Sequence, residues 1–212
     1  MSCLIIVDVQ NDFMEGGSLE VKNASEILKP INRLRDRHNF DMVVLSKDFH
    51  PLKHVSFAST HANKKPFDTV KTKSNSPQLL FPDHCVQNTY GSEFNKKLKV
   101  LESDTIITKG MNVDVDSYSA FFDNDKLSKT PLDNILKKNS IKNVYVCGLA
   151  TDFCVSYTCL DAKSLGFNTF FLKDASRGIS TESVEAAIKK MKESNINIIE
   201  TEDLIRSTSK NL

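Results

Sequence analysis

Cysteine, aspartate and lysine residues stand where short apolar runs of this sequence end. Asp8 follows the run LIIV, Lys109 closes TIITK, and Cys154 comes shortly after NVYVCGLA. Each has a structural explanation alone, since free cysteines are usually buried and inert and strand-end aspartates often accept hydrogen bonds from turn amides. Together they offer a nucleophile, a proton acceptor and a group that stabilises negative charge. The three residues therefore predict covalent catalysis by a cysteine.

A second group of polar residues has the composition of a metal site. Asp48 and His50 are alternate residues of an extended segment, so their side chains point the same way, and His84 can supply a third ligand. Three ligands with open positions are typical of a catalytic or substrate-binding site rather than a closed structural one. The remaining histidines are interpreted as core or surface residues: His38, His54 and His61.

Cys154 is also predicted to lie at the beginning of a helix. The helical pattern covers residues Asp152–Leu165. The first turn of a helix carries partial positive charge, which stabilises a thiolate. With Lys109 nearby, we expect a lowered pKa for the Cys154 thiol. The carboxylates of Asp152 and Asp174 are interpreted as helix-cap or loop groups.

β-Rich runs alternate with helical patterns along most of the chain. Six runs predict strands: CLIIVDV, FDMVVLSKD, DTIITK, NVYVCGL, NTFFLKD and INIIE. Helical spacing is found in ASEILKPINRLRDRH, where Pro30 indicates a late start or a kink, and in TESVEAAIKKMKES, which Thr181 would cap. We therefore predict a single α/β domain over residues 1–212. It would be a three-layer αβα structure with a doubly wound, six-stranded, mostly parallel sheet.

Such a sheet explains why the polar residues follow strands. Ligands of doubly wound sheets bind beyond the carboxyl ends of the strands, and all the candidate residues except His84 come soon after a strand. The long irregular stretch from about residue 49 to 100 contains His84, and it is too long to be a simple connecting loop without a function.

Composition excludes several classes of partner. The net charge is +1 with both signs interspersed, so neither nucleic acid nor an anionic membrane is expected to bind. The apolar runs are too short to span a bilayer, and the first residues lack the basic segment of a secretion signal. Five cysteines without paired spacing favour a reducing compartment, so we expect a cytoplasmic location, with the nucleus also open. Assembly into a homo-oligomer is left open.

Five stretches of the chain resemble one family in the same order. They are IIVDVQNDFMEGGSL, SKDFHP, FPDHCVQNTYGSEF, TKGMNVDVDSYSAF and VCGLATDFCVSYTCLDAKSLGF. With them the chain resembles the isochorismatase-like cysteine hydrolases, and among these the nicotinamidases. The resemblance extends from Ser2 to about Arg206, and it implies the isochorismatase-like αβα fold.

The resemblance also implies roles for particular residues. It implies a catalytic triad of Asp8, Lys109 and Cys154, and one divalent metal ion held by Asp48, His50 and His84. The metal would be zinc, with manganese and iron as alternatives. It further implies an oxyanion hole made by the amides of Ala150 and Cys154, next to a cis peptide between Leu149 and Ala150. The substrate ring would bind among three aromatic residues: Phe13, Phe81 and Tyr118. Most relatives have tryptophan at the position of Phe81, and this chain has no tryptophan.

The implied activity is the metal-dependent hydrolysis of nicotinamide to nicotinate and ammonia in NAD salvage. Two alternatives remain at this point. One is a related amidohydrolase that acts on a carbamoyl or pyrazinamide-like amide. The other is a flavodoxin-like binding module, which would need a phosphate-binding loop and would have no use for Cys154 and Lys109.

Overall fold

The computed structural model describes residues 1–73 and 75–209, and its centre is a six-stranded sheet. The strands of this sheet are β1 (Ser2–Val7), β2 (Met42–Asp48), β5 (Thr105–Lys109), β6 (Asn143–Leu149), β7 (Asn168–Arg177) and β8 (Asn197–Ile199). They lie in the order β5-β2-β1-β6-β7-β8, and every neighbouring pair is parallel. The predicted α/β fold with a doubly wound, six-stranded sheet is confirmed. The predicted single domain over residues 1–212 also includes residue 74 and residues 210–212, which lie outside the described residues.

The helices cover both faces of the sheet. They are α1 (Leu28–Arg37), α2 (Leu132–Lys138), α3 (Ser156–Ser164), α4 (Thr181–Glu193) and α5 (Thr201–Ser209). Within the described part of the chain, no helix is long and apolar enough to cross a bilayer. Helix α1 begins late, and Pro30 lies in its first turn, where the missing N–H has no intrahelical acceptor to lose. The cap of α4 is Ser180 instead of Thr181, because Ser180 has extended backbone angles and its side chain accepts a hydrogen bond from the Ser183 amide.

Strand β1 lies in the middle of the sheet and is buried on both faces. Its alternate residues Cys3, Ile5 and Val7 belong to one hydrophobic core, and Leu4 and Ile6 belong to the other. A strand with two buried faces needs apolar residues at every position, which explains the unbroken run in the sequence. The chain leaves β1 toward β2 on one side and later returns to add β6 on the other. The gap between the carboxyl ends of β1 and β6 is therefore the switch point at which ligands bind in such folds.

The long irregular stretch after β2 has some regular structure of its own. It contains a small antiparallel ribbon, β3 (Thr69–Lys71) with β4 (Pro77–Leu79), which the sequence reading did not predict. Its last part returns to the sheet edge, where the amide of His50 donates a hydrogen bond to the carbonyl of Cys85 at 3.0 Å. This return brings His84 to the same end of the sheet as Asp48.

Candidate active site

The side chains of Asp8, Lys109 and Cys154 meet at the carboxyl edge of the sheet. The Lys109 ammonium lies 2.9 Å from Asp8 Oδ2 and 3.4 Å from Cys154 Sγ. It also donates hydrogen bonds to Asp48 Oδ1 at 2.5 Å and to the Ser117 carbonyl at 2.9 Å. The structure therefore brings together the three residues that were predicted to form a catalytic group.

Lys109 reaches this point from an edge strand. Strand β5 is separated from β1 by β2, and neighbouring strands are about 4.8 Å apart, so only a long side chain can span the distance. Asp48 is paired in register with Lys109 on β2, and its carboxylate lies along the path of the lysine. Asp8 turns its carboxylate into the site from a left-handed backbone conformation with φ 50°, and it accepts a hydrogen bond from Ser46 Oγ at 2.6 Å.

The charges of this group depend on one another because all of it is buried. Burial lowers the pKa of Lys109, but the carboxylates of Asp48 and Asp8 outweigh burial and raise it well above its usual value. Burial raises the pKa of Asp8 to about 6, aided by the charge of Asp48 and opposed by Lys109. Burial would also raise the pKa of Asp48, but Lys109, His50 and His84 together bring it far below its usual value. Lys109 is therefore a permanent internal cation, and Asp8 is the carboxylate that can gain a proton.

The protonation state of Cys154 differs from the prediction of a thiolate. Cys154 lies within a π-helical turn, Thr151–Val155, which precedes α3, and its side chain is buried. Burial raises the pKa of the Cys154 thiol well above its usual value, and the lowering by Lys109 is smaller. The nearby carboxylate of Asp8 raises it further. The resting group is thus a thiol beside Asp8, with the Lys109 ammonium 3.4 Å from its sulfur atom.

Asp48, His50 and His84 form a compact group with the donor set of a metal site. Asp48 Oδ2 lies 3.5 Å from His50 Nε2 and 3.9 Å from His84 Nε2, and the three ligand atoms are all within 4.8 Å of one another. Ligands at about 2.1 Å around a tetrahedral ion are separated by about 3.4 Å, so small shifts would complete the site. His50 Nε2 is buried without a hydrogen-bond partner among the described residues, as expected of a metal-binding nitrogen.

Backbone carbonyls orient both imidazole rings. His50 Nδ1 lies 2.8 Å from the Gly110 carbonyl, and His84 Nδ1 lies 2.8 Å from the Pro82 carbonyl. A proton on each Nδ1 leaves the Nε2 lone pair facing Asp48, the usual outer contact of a metal-binding histidine. Gly110 is required beside this ring, since a Cβ atom there would lie 2.4 Å from His50 Cε1. The chemistry of the three residues therefore fits a divalent transition-metal ion.

Two other groups of possible ligands lie nearby, and both are less suitable. His50, His54 and Asp116 form one of them, but both ring nitrogens of His54 have partners, Ser56 Oγ at 2.7 Å and the Val115 carbonyl at 3.3 Å. His54 is buried, as predicted, and it stacks on His50 with ring centroids 4.1 Å apart. The other group consists of Asp8, Asp48 and Cys154. The Lys109 ammonium already balances the negative charge of the two carboxylates, so this group does not need a metal ion.

A pocket of about 430 Å³ opens beside Cys154, and the predicted ring-binding residues Phe13, Phe81 and Tyr118 line it. Ala150 lines the same pocket, and the peptide between Leu149 and Ala150 is cis, as the resemblance implied. Sequence reasoning missed five other lining residues: Leu19, Val21, Asp116, Phe153 and Ile179. The signal for Phe153 was its place next to Cys154.

Phe153 joins two of the predicted aromatic residues, Phe81 and Tyr118, into one apolar wall. Its ring contacts Phe81 and Tyr118 edge to face, at centroid distances of 5.8 Å and 5.5 Å. Its backbone is non-helical, with φ −124° and ψ −106°, in the turn that carries Cys154. The pocket is thus lined by aromatic rings together with the Cys154 thiol, Asp48 and His84.

Lys109→Ala is expected to lower the free energy of unfolding by about 3–5 kcal/mol, because it leaves two buried carboxylates without their shared cation. Urea denaturation measures this change. The matched control is Lys189→Ala, whose side chain is 79% exposed and 4.0 Å from Glu193, and which should change stability by less than about 0.5 kcal/mol. Equal stability of the two variants would show that Lys109 is not held as a buried cation.

The fold and the site together define a class of protein: an α/β protein with a buried cysteine, aspartate and lysine beside a metal-ligand group. The family model described as "Isochorismatase domain" matches residues 2–203. The chain therefore belongs to the isochorismatase family.

Individual relatives are similar over nearly the whole chain. A nicotinamidase from Acinetobacter baylyi is 41% identical over 203 residues, which are 95% of this chain and 94% of the relative. The structure of the yeast nicotinamidase bound to the inhibitor nicotinaldehyde matches with a TM-score of 0.89 at 36% identity, covering 94% of this chain and 100% of that one. A pyrazinamidase of Pyrococcus horikoshii in complex with zinc matches with a TM-score of 0.75 at 34% identity, covering 94% and 98%.

Proposed function

We propose that this protein is a nicotinamidase, an amidohydrolase that converts nicotinamide and water to nicotinate and ammonia. The observation that carries the proposal is the single pocket into which Cys154, Asp48 and His84 all open, between aromatic side chains. Most of its lining is apolar, and a few polar groups converge in it, as is typical of a site for a small organic molecule. The nicotinamidases at 36–41% identity support the same substrate.

In the first step Cys154 acts as the nucleophile. The thiol proton passes to Asp8 while Sγ attacks the carboxamide carbon, so the reaction does not require a thiolate in the resting protein. The amides of Ala150 and Cys154 are proposed to donate hydrogen bonds to the oxyanion of the tetrahedral intermediate. Asp8 then returns the proton to the leaving nitrogen. Ammonia departs, and a thioester of nicotinate with Cys154 remains.

In the second step water replaces the amine. Asp8, again ionised, accepts a proton from a water molecule as this water attacks the thioester carbon. Collapse of the second tetrahedral intermediate releases nicotinate and restores the thiol of Cys154. Lys109 keeps its proton throughout. It holds Asp8 and Asp48 in place and offsets the negative charge that develops on sulfur.

The metal site is assigned to one divalent ion, which we propose to be zinc. Asp48, His50 and His84 would hold it, and the zinc complex of the related pyrazinamidase supports this choice. Manganese and iron accept the same oxygen and nitrogen ligands. When bound, the ion supplies a Lewis-acidic position that can accept the lone pair of the pyridine nitrogen. Phe13, Phe81 and Tyr118 line the pocket and orient the ring, and Phe81 provides a flat aromatic face.

We also propose that the reaction serves NAD salvage in a reducing compartment, the cytoplasm or the nucleus. All five cysteines are buried and free, which is the usual state in such compartments. A related amide remains the nearest alternative substrate. Pyrazinamide has a ring nitrogen at the corresponding position, and the related protein from Pyrococcus horikoshii is a pyrazinamidase. A flavodoxin-like binding module is disfavoured, because such a module would have no use for the buried Lys109 beside Cys154.

Ammonia release from nicotinamide is the direct test of the proposed activity. Purified protein with added Zn²⁺ should form ammonia and nicotinate in equal amounts, followed by a coupled ammonia assay and by chromatography. Pyrazinamide and a simple ureido compound should be compared at the same concentrations. Ammonia formation no faster than in the protein-free solution would contradict the proposal.

Asp8→Asn is expected to lower kcat by a factor on the order of 10²–10⁴, because the amide cannot accept a proton from the thiol or from water. The substitution keeps the shape of the side chain and can still accept the hydrogen bond from Ser46 Oγ. The matched control is Asp161→Asn, which removes a carboxylate paired with Lys126 away from the pocket. A kcat for Asp8→Asn within a few-fold of the control would exclude Asp8 as the proton carrier.

A further inference from the structure

A short segment between β7 and α4 forms part of the pocket wall. Its residues are Gly178, Ile179 and Ser180, and the Ile179 side chain lines the pocket that contains Cys154. Ile179 also lines a second, open cleft of about 1110 Å³, and it is 42% exposed. The segment is therefore a thin wall between the pocket and an open cleft. Because so much of the Ile179 side chain is exposed, packing contacts alone do little to fix its position.

One carboxylate holds this wall in place. The Ile179 amide donates to Asp152 Oδ1 and Oδ2 at 3.1 Å each, and the Ser180 amide lies 3.4 Å from Oδ2. Ser183 Oγ donates to the same Oδ2 at 2.5 Å. Asp152 lies on the turn that carries Cys154, two residues before it. The same short turn thus carries Cys154 and binds the segment that bears Ile179.

The fit between the wall and Asp152 is close. A Cβ atom on Gly178 would lie 2.8 Å from Asp152 Oδ1 and 2.3 Å from Val184 Cγ2, so no side chain is accommodated there. The amides that Asp152 binds belong to the two residues that directly precede α4, and Ser180 is the N-cap of that helix. The carboxylate is thus the main polar attachment of the segment that bears Ile179.

A second aspartate provides a matched comparison. Asp174 lies in β7, and it accepts hydrogen bonds from the Thr201 amide at 2.9 Å and from Thr201 Oγ1 at 2.5 Å at the beginning of α5. Neither Asp174 nor Thr201 lines the pocket beside Cys154. Asp174→Ala should therefore destabilise the protein by removing a carboxylate at the beginning of a helix, as Asp152→Ala does, but it should leave the pocket wall in place.

We propose that Asp152 is a positioning residue that holds Ile179 against the bound substrate, and that Ile179 limits the size of the ring the pocket accepts. The inference rests on the proposed function, because it concerns the substrate range of the same site. Ile179 would press an apolar side chain against the bound ring. Removing either residue should weaken substrate binding and relax the selection against larger rings, without removing a group that reacts.

Kinetics of four variants test this role. Ile179→Ala and Asp152→Ala should each raise KM for nicotinamide about tenfold, while kcat changes by less than about threefold. Both should increase the relative kcat/KM for nicotinamides that carry a methyl group on the ring. Asp152→Asn keeps one acceptor oxygen and should fall between wild type and Asp152→Ala. Asp174→Ala should keep the wild-type KM and ring selectivity, even if its thermal stability falls as much as that of Asp152→Ala.

Alkylation of Cys154 gives a readout that does not depend on turnover. Rates with iodoacetamide and with the bulkier N-ethylmaleimide can be followed on the Cys154 peptide by mass spectrometry. Ile179→Ala and Asp152→Ala should increase the ratio of the maleimide rate to the iodoacetamide rate, and Asp174→Ala should not. An active wild type whose Ile179 and Asp152 variants match Asp174→Ala in KM, selectivity and this ratio would overturn the inference. A wild type without amidase activity would instead contradict the proposed function, and the alkylation ratio would still decide whether the wall exists.

Discussion

Cys154→Ala is expected to abolish ammonia release from nicotinamide, with a fall in kcat of at least about 10⁴-fold, because the covalent route depends on the sulfur atom. The fold should persist. The change removes one buried sulfur atom, and single substitutions typically destabilise proteins by about 1 kcal/mol. Single-turnover assays with quantified nicotinate measure the loss, and thermal unfolding checks that the variant is folded.

Cys159→Ala is the matched control for this variant. Cys159 is buried in α3, five residues further along, and it does not line the pocket. Native mass spectrometry with nicotinaldehyde should detect a thiohemiacetal adduct on wild type and on Cys159→Ala, but not on Cys154→Ala. Turnover by Cys154→Ala within tenfold of the control would refute covalent catalysis at this position.

Benzamide is expected to have a kcat/KM at least about a hundredfold below that of nicotinamide in the metal-loaded protein. The two compounds have the same shape and the same scissile amide, but benzamide lacks the ring nitrogen. A site built around a polar contact rejects an analogue that leaves its polar group unpaired. Isonicotinamide, with the nitrogen moved by one position, should also be a poor substrate. Steady-state kinetics with the three amides measure this preference.

Removal of the metal should lower nicotinamide turnover, and Zn²⁺, Mn²⁺ or Fe²⁺ should restore it. Metal analysis by mass spectrometry should find about one ion per chain in wild type and a reduced content in His84→Ala. His61→Ala is the control, because the His61 ring binds the Val55 carbonyl at 2.8 Å and belongs to none of the candidate ligand groups in the described residues.

The benzamide comparison also has an outcome that would contradict this role of the ion. Comparable kcat/KM for benzamide and nicotinamide would show that the ion does not bind the ring nitrogen, and the site would then serve another purpose.

The protonation of the catalytic group could not be inferred from residue types. A cysteine near the start of a helix and near a lysine suggests a thiolate, yet burial raises the pKa of the Cys154 thiol well above its usual value. Burial depends on how the turn at residues 151–155 packs beneath the aromatic wall, and this packing involves residues distant in sequence. With a neutral thiol at rest, the proposed mechanism makes Asp8 the base that acts at the first step.

The pocket wall was also beyond the reach of the sequence. Ile179 lies in a short loop with no pattern of its own, and its place beside Cys154 depends on hydrogen bonds from that loop to Asp152. The sequence did mark Asp152 as a cap residue, but it could not show what the capped segment would touch. A contact between two loops depends on where the strands before them end, and strand ends are defined by the three-dimensional register.

The sequence by itself determined the architecture and selected the candidate reactive residues. Unbroken apolar runs alternating with helices require a parallel sheet covered on both faces, and parallel strands bring Asp8, Asp48 and Lys109 to one edge. This inference is local, because it needs only strand direction and the residue at each strand end. Tertiary structure alone decided the distances among these groups, the charge on Cys154, and the access of His84 and Ile179 to the site. Those properties depend on burial and on long loops, whose paths are determined by contacts between distant parts of the chain.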